Sequence, residues 1–140
     1  MAEGEVRPLP QEFLQALKGE DELLISSCED GRERSVRMWF AIAPQGVVLL
    51  FTWAFSLKAE RWRRRPWTRL RIPGTSHSVE GRVVIISPDE VEPLADLVMA
   101  RWADWGVTHP EGLRRMIEGG THVLLRVEGI AAEPASQYQR

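Results

Sequence analysis

The chain has 140 residues, of which 44% are apolar and 27% are charged, and its formal net charge is −2. These values are typical of one soluble globular domain, which we expect to span residues 1–140 and to bury a substantial core. No apolar run reaches the roughly 18 residues of a membrane-spanning helix. A single cysteine, Cys28, excludes an internal disulfide. With no apolar signal region near Met1, these features favour a cytoplasmic protein.

The residue types that most often carry chemistry are sparse in this sequence. His77, His109 and His122 are scattered and show no metal-ligand spacing, so we expect no metal site. Cys28 has no histidine near it in sequence, so we expect no reactive thiol. No acid–base pair stands out, and catalytic residues stay unassigned. Six tryptophans are many for this length; they suit a core, an interface or a ligand pocket.

The first half of the chain predicts an irregular arm, a helix and three strands. Residues 1–9 form the arm, and residues 10–19 form a short amphipathic helix. Strands are predicted at 22–28, 34–42 and 47–53, with an Asp-Gly hairpin turn between the first two.

The second predicted strand has two different faces. The face with alternate apolar residues indicates pure core: Val36, Met38, Phe40 and Ile42. The other face is half polar and carries a tryptophan: Ser35, Arg37, Trp39 and Ala41. That pattern suits a ligand groove or a solvated surface about equally well.

Positive charge is concentrated in residues 53–71, WAFSLKAERWRRRPWTRLR. The segment has seven basic residues and one acid, a net charge of +6, which leaves −8 for the rest of the chain. Ser56 is a good N-cap for a helix over residues 57–65, which Pro66 ends. A helix start carries free N–H groups and partial positive charge, so this segment suits an anionic ligand such as a phosphate.

The second half predicts two strands, two helices and a last strand. The strands span 67–72 and 78–86, and Gly81 indicates a bend or a close approach. Ser87 starts a helix that runs to Gly106, with Pro93 causing a kink or a later true start. A helix at 108–118, a strand at 121–131 and a polar tail at 133–140 follow. Trp102 and Trp105, at helical spacing, suit the core or a dimer contact.

These elements define the fold class as a β-barrel with inserted helices (α+β). Six antiparallel strands follow one another, with the helices in the connections. A closed or split barrel removes the exposed edges of such a sheet.

The run RSVRMWFAIAPQGVVLLFTWAFSLKAERWRRRPWTRLRI resembles the split-barrel flavoproteins of the pyridoxamine-phosphate-oxidase-like superfamily. The features that carry the resemblance are Trp39-Phe40, Thr52, Ser56, Lys58 and the Arg-rich helix that Pro66 ends. The sequences VEG at 79–81 and HVLLRVEG at 122–129 are also similar. The likeness covers roughly residues 10–131 and implies a six-stranded antiparallel split barrel of the FMN-binding type.

The resemblance implies a homodimer that binds FMN at the subunit interface and transfers hydride to or from a small-molecule substrate. Lys58, with Ser56 and Thr52, would hold the phosphate, and the isoalloxazine ring would lie along the backbone of residues 37–40. The implied cofactor-binding residues are Arg37, Met38, Trp39, Phe40, Thr52, Trp53, Ser56, Leu57, Lys58 and Trp67.

The sequence also departs from the family's pattern. Phe55 stands where members often have Gly, and Arg61-Trp62 stands where they often have Asn-Leu. Bulky side chains at Trp53, Phe55 and Trp62 would narrow the groove, which puts retention of the cofactor in doubt. Nothing matches the residues that bind pyridoxal phosphate, so vitamin salvage is not favoured.

The residues themselves support a flavin site, because Lys58 offers a cation, Thr52 and Ser56 offer hydroxyls, and Trp39, Trp53 and Trp67 offer flat walls. Three alternatives stay open. The 5-deazaflavin coenzyme F-420, with a longer anionic tail, would use more of residues 61–71. A non-catalytic flavin-binding protein would use the same site. A nucleic-acid-binding module built on RWRRRPWTRLR is less favoured, since the patch is short and the whole chain is slightly acidic.

Overall fold

The computed structural model describes residues 6–130, which form one seven-stranded antiparallel sheet and four α-helices. The strands are β1 (Glu22–Glu29), β2 (Arg32–Trp39), β3 (Ala41–Ala43), β4 (Val47–Trp53), β5 (Trp67–Arg71), β6 (Ser78–Ile85) and β7 (His122–Gly129). The helices are α1 (Gln11–Leu17), α2 (Leu57–Arg64), α3 (Ala95–Trp102) and α4 (Pro110–Glu118).

The sheet curls on itself at Phe40. Its strand order is β2-β1-β5-β6-β7-β4-β3, so the two outer strands of the sheet, β2 and β3, are consecutive in the chain with only Phe40 between them. The sheet must therefore bend until its two edges meet at that residue. The predicted barrel architecture is confirmed. The strand count is seven rather than six because the strand predicted at 34–42 breaks at Phe40.

The β1–β2 hairpin turns through Asp30 and Gly31, which have φ values of 52° and 77°. Two left-handed residues suit the twist of paired strands, as the Asp-Gly pair predicted. The outer strand of this hairpin is at the edge of the sheet and is the more exposed one: Val36, expected on the core face, is 43% exposed, although Ile25 opposite it on β1 is buried. Met38, two residues nearer the sheet bend, is 8% exposed.

One core fills the inside of the barrel. Helix α1 contributes Phe13, Leu14 and Leu17, and the segment that precedes it inserts Leu9, whose N–H donates to the Gly46 carbonyl at 2.8 Å. The strand residues of this core include Leu23, Ile25, Leu50, Leu70 and Leu125. Alternation along the strands places these side chains inside the barrel.

A second core lies on the outer side of β3, β4 and β7, where α3 and α4 cover the sheet. It includes Leu49, Phe51, Val98, Trp102, Leu113 and Leu124. The continuous apolar run of β4 from Val47 to Phe51 allows this strand to pack on both sides. Helix α3 starts late: Pro88–Glu90 and Glu92–Leu94 form 3-10 turns, and the α-helix begins only at Ala95. That late start is one of the two outcomes expected from Pro93.

Two further predictions concern a membrane-spanning helix and the polar tail. None of the helices within residues 6–130 is both long and apolar enough to cross a membrane. Strand β7 ends at Gly129, and the predicted tail at 133–140 lies outside the described residues.

Candidate functional site

The start of α2 presents free backbone donors. Ser56 is the N-cap, and its Oγ accepts the Ala59 N–H at 3.2 Å. The Ser56 hydroxyl hydrogen is left to donate to a ligand. The N–H groups of Leu57 and Lys58, in the first turn, have no carbonyl partner inside the helix. Together with the helix dipole, these donors favour an anion at this end.

Lys58 is the cation closest to these donors in sequence, and residues 6–130 provide no ion-pair partner for it. It is partly buried, and among residues 6–130 no carboxylate lies within ion-pair distance of its Nζ. Burial lowers the pKa of Lys58. A half-buried ammonium without a carboxylate is a cost that a bound anion would offset.

Several of the other basic side chains near α2 are already engaged. Arg61 Nε contacts a Glu29 carboxylate oxygen at 2.7 Å, and Arg69 Nε contacts Glu33 at 3.1 Å. Burial acts to raise the pKa of Glu33, but hydrogen bonds from Ser26 and Arg69 hold that pKa below its usual value. Arg71 Nη2 donates to Ser35 Oγ at 2.9 Å. These contacts tie the basic segment to the β1–β2 hairpin, so much of its charge holds the fold together.

Three apolar side chains around the start of α2 face solvent. The exposed fractions are 59% for Trp53, 81% for Phe55 and 69% for Leu57. Trp62 behaves differently: it is 2% exposed and its Nε1 donates to the Ser26 carbonyl at 3.1 Å. The expectation that Trp62 would narrow the groove is therefore wrong, because its ring fills the barrel.

The barrel is split between β2 and β4. β2 pairs with β1, and β4 pairs with β7 and β3, so within the described chain no strand pairs with the free edge of residues 37–39. Trp105 packs against both Trp39 and Phe51, so the end of β2 lies near the part of β4 that leads to Trp53.

A cleft of about 540 Å³ lies at the β2 side of this opening. Arg101 spans it: Nε donates to the Phe40 carbonyl at 2.8 Å, Nη2 donates to the Asp21 carbonyl, and the guanidinium lies 4.5 Å from the Trp39 ring centroid. Trp105 packs against Trp39 at 5.6 Å. The cleft is lined by Gly19, Glu20, Asp21, Glu22, Arg37, Trp39, Pro73, Arg101 and Asp104. Ser56 and Lys58 do not line it, so one chain presents the predicted site as two separate parts.

Comparisons with known proteins found matches by structure and none by sequence. No family model matches the sequence, and no curated protein matches it. A FAD-binding protein from Mesorhizobium loti matches at TM-score 0.63 and 17% identity, over 91% of this chain and 94% of that one. A protein proposed to be a pyridoxamine 5'-phosphate oxidase, from Listeria innocua, matches at TM-score 0.60 and 14% identity, over 83% and 89%.

An F-420 reductase matches at TM-score 0.57 and 17% identity, over 88% of this chain and 97% of that one. The fold is the pyridoxamine-phosphate-oxidase-like split barrel. Identities this low establish the fold and leave the chemistry to be argued from the residues. The share of the matched chain that is covered ranges from 60%, in an Agrobacterium tumefaciens protein of unknown function, to 97%.

Three of the expected cofactor residues have side chains engaged elsewhere, which for Met38 and Phe40 agrees with a ring placed along their backbone. Met38 and Phe40 point their side chains into the core, so only their backbone faces the opening. Trp67 donates from Nε1 to Glu80 at 2.8 Å and lies between the guanidinium groups of Arg65 and Arg69. Thr52, by contrast, is buried on the barrel side of β4, four residues before the cap.

His122 is a residue of this region that the sequence did not single out. Its ring stacks on Phe51 at 5.0 Å and on Trp53 at 4.4 Å, and Thr121, its neighbour, accepts the Ala54 N–H at 2.9 Å. Burial lowers the pKa of His122. In the sequence His122 is a lone histidine at the start of a strand, and no ligand spacing marks it. Only the β4–β7 pairing, which places His122 opposite Trp53, brings it into this region.

Proposed function

We propose that this protein binds FMN and acts as a flavin-dependent oxidoreductase on a small molecule. The observation that carries the proposal is Lys58, a partly buried cation without a carboxylate partner in residues 6–130, beside the free N–H groups of a capped helix at the opening of a split barrel. The presence of a FAD-binding protein and an F-420 reductase with the same fold supports a flavin-type ligand.

The phosphate of FMN suits the start of α2. Lys58 supplies charge, the Leu57 and Lys58 N–H groups supply backbone donors, and the Ser56 hydroxyl supplies one more. Thr52 lies just before this turn. A phosphate here would be held by charge-assisted hydrogen bonds, which are stronger than neutral ones.

The isoalloxazine ring suits the opening between β2 and β4. The free backbone edge of residues 37–40 offers donors and acceptors to ring heteroatoms, while Trp39 and Trp53 offer flat walls. When bound, the flavin supplies the hydride chemistry; the protein orients the ring and excludes water.

A second copy of the chain completes the site in this proposal. Trp53, Phe55 and Leu57 expose apolar surface beside Lys58, and such surface is covered in a stable protein–protein interface. A homodimer that buries these side chains would also enclose the phosphate end of the ligand.

The test is FMN titration of the wild-type protein, Lys58→Ala and Lys18→Ala. Lys18 is the other lysine of the chain and is exposed after α1, so it is a matched control for loss of a positive charge. We expect Lys58→Ala to weaken FMN binding about ten- to a hundredfold, as loss of a charged contact does. We expect Lys18→Ala to leave the affinity unchanged. Equal affinities for all three proteins would remove Lys58 from the site.

The deazaflavin coenzyme F-420 is the second candidate. Arg63, Arg64 and Arg65 are exposed beyond Lys58, where a longer anionic tail would extend. Absorbance of the purified protein separates the two cofactors, because bound deazaflavin absorbs at shorter wavelength than bound FMN. A colourless protein that carries nucleic acid would favour the basic-module alternative.

A further inference from the structure

The contacts of Thr121 favour one tautomer of the His122 ring. Thr121 Oγ donates to the Met116 carbonyl at 3.1 Å, and Thr121 Oγ lies 3.0 Å from His122 Nδ1. Both contacts are hydrogen bonds at once when the Thr121 hydroxyl donates to the Met116 carbonyl and His122 Nδ1–H donates to Thr121 Oγ. In that arrangement neutral His122 has its lone pair on Nε2.

This Nε2 is available to a ligand. No hydrogen-bond partner for it is found within residues 6–130, and it is not among the fully buried unpartnered atoms. The ring stacks on both Phe51 and Trp53, which restrains its position. A hydrogen bond at one ring nitrogen orients an imidazole and fixes its tautomer. Proteins use this arrangement to position the other nitrogen as an acceptor.

The position of His122 links it to the proposed cofactor. Trp53 lies five residues before Lys58, and the Ala54–Thr121 backbone bond brings the start of β7 to the turn that leads into α2. A flavin whose phosphate lies at Lys58 carries its ribityl hydroxyls, and beyond them its ring N–H, away from that phosphate. These groups are hydrogen-bond donors.

We propose that His122 Nε2 accepts a hydrogen bond from a hydroxyl or N–H group of the flavin. The inference rests on the proposed function. It makes His122 a positioning residue whose neutral form is required for tight binding. Burial alone lowers its pKa, and no charged side chain of β4, α2 or α4 contributes to that shift. At neutral pH the acceptor is therefore present, and it is lost when His122 gains a proton.

The first measurement is the titration of the three histidines by NMR, with and without ligand. In the free protein we expect the Nδ1–H tautomer for His122. Because a donor on the ligand stabilises the neutral ring, we expect FMN and riboflavin each to lower the pKa of His122 by about half a unit or more. Inorganic phosphate should not lower it, and His77 should not respond to any of the three. A raised or unchanged pKa with FMN bound overturns the inference.

The second measurement is FMN affinity of two variants. His122→Gln keeps an acceptor oxygen near the position of Nε2, whereas His122→Asn keeps only the inner position. We expect Asn to weaken FMN binding about three- to tenfold and Gln to recover most of it. Equal loss in both variants would indicate a packing role and overturn the inference. If FMN binds in a Lys58-dependent way but ignores His122, the proposed function stands and this inference fails; if FMN does not bind at all, both fail.

Discussion

Residue type alone does not decide what a tryptophan does here. Trp53 and Trp62 belong to the same basic segment, yet Trp53 is 59% exposed and Trp62 is 2% exposed. Trp62 is on the inner face of α2 and donates to a strand carbonyl, so it belongs to the core. Trp53 is the last residue of β4. The side chain before it, Thr52, is on the barrel side, whereas the Trp53 ring points outward and stacks on His122.

Truncating these two residues should therefore separate stability from binding. Trp62→Ala should lower the free energy of unfolding by about 3–5 kcal/mol, as for other large core truncations. Trp53→Ala should change it by less than about 1 kcal/mol, because the ring is mostly exposed. Urea denaturation measures both. In FMN titrations Trp53→Ala should lose more affinity than Trp62→Ala relative to the stability that each variant loses. A fall of about 3–5 kcal/mol in the unfolding free energy of Trp53→Ala would contradict this assignment.

The ion pair of Arg61 with Glu29 predicts a pH dependence of stability. The hydrogen bond and charge of Arg61 hold the pKa of Glu29 below its usual 4.5 in the folded protein. A carboxyl whose folded pKa is depressed stabilises the fold above its unfolded pKa, and that contribution is lost as the pH falls through the folded value. Thermal melting between about pH 5 and 3 should therefore show a steeper fall in Tm for wild type than for Glu29→Gln. Parallel curves would show that the pair adds nothing in solution.

At the scale of the element, the strands were predictable and their bends were not. Alternating and continuous apolar runs located six strands to within a few residues, because one buried face imposes a period of two and two buried faces impose a continuous run. The break at Phe40 left no mark, since apolar alternation continues across it from Met38 to Ile42. Val36 was placed in the core for the same reason, because a pattern cannot show which strand lies at the edge of the sheet.

The candidate site also has parts that the sequence predicts and parts that it does not. Ser56 and the helix after it follow from local capping chemistry. The ion pairs of Arg61 and Arg69 do not follow from local sequence. Their partners Glu29, Glu33 and Glu80 lie on strands that only the sheet order brings near. His122 was missed because its neighbours Phe51 and Trp53 are about seventy residues away along the chain.

Two glycines test how tightly the β6–β7 pair is packed. A Cβ at Gly81 would lie 2.5 Å from Val127 Cγ1 and 2.9 Å from the Glu128 carbonyl oxygen, whereas a Cβ at Gly112, inside α4, would meet nothing within 4 Å. Gly81→Ala should cost about 1–3 kcal/mol of unfolding free energy through overpacking. Gly112→Ala should add about 0.5–1 kcal/mol by favouring the helix. Chemical denaturation checks both signs, and a neutral Gly81→Ala would mean that the sheet yields easily there.

At the scale of the whole molecule, the charge asymmetry is partly internal. The basic segment balances acids of the β1–β2 hairpin and β6, which leaves Lys58 and the exposed arginines of α2 for other roles. The apolar side chains Phe55 and Leu57 beside them are the most exposed of the large hydrophobic residues described.

We expect a homodimer in solution that buries this apolar surface. Phe55→Ser should shift the mass measured by light scattering at micromolar concentration toward the monomer. Val36→Ser, a similar loss at a 43% exposed position on β2, should leave the mass unchanged. A wild-type protein that is monomeric at that concentration would contradict an interfacial site, and an effect of Val36→Ser equal to that of Phe55→Ser would place the interface elsewhere.

The corner at Phe40 also limits the thickness of whatever enters the opening. Both walls of the gap belong to one continuous stretch of backbone, so the gap widens only if the chain flexes at that corner. Arg101 holds the corner from a helix 61 positions away in sequence, by its bond to the Phe40 carbonyl. A molecule that needs a wider gap than the structure has must first break that bond.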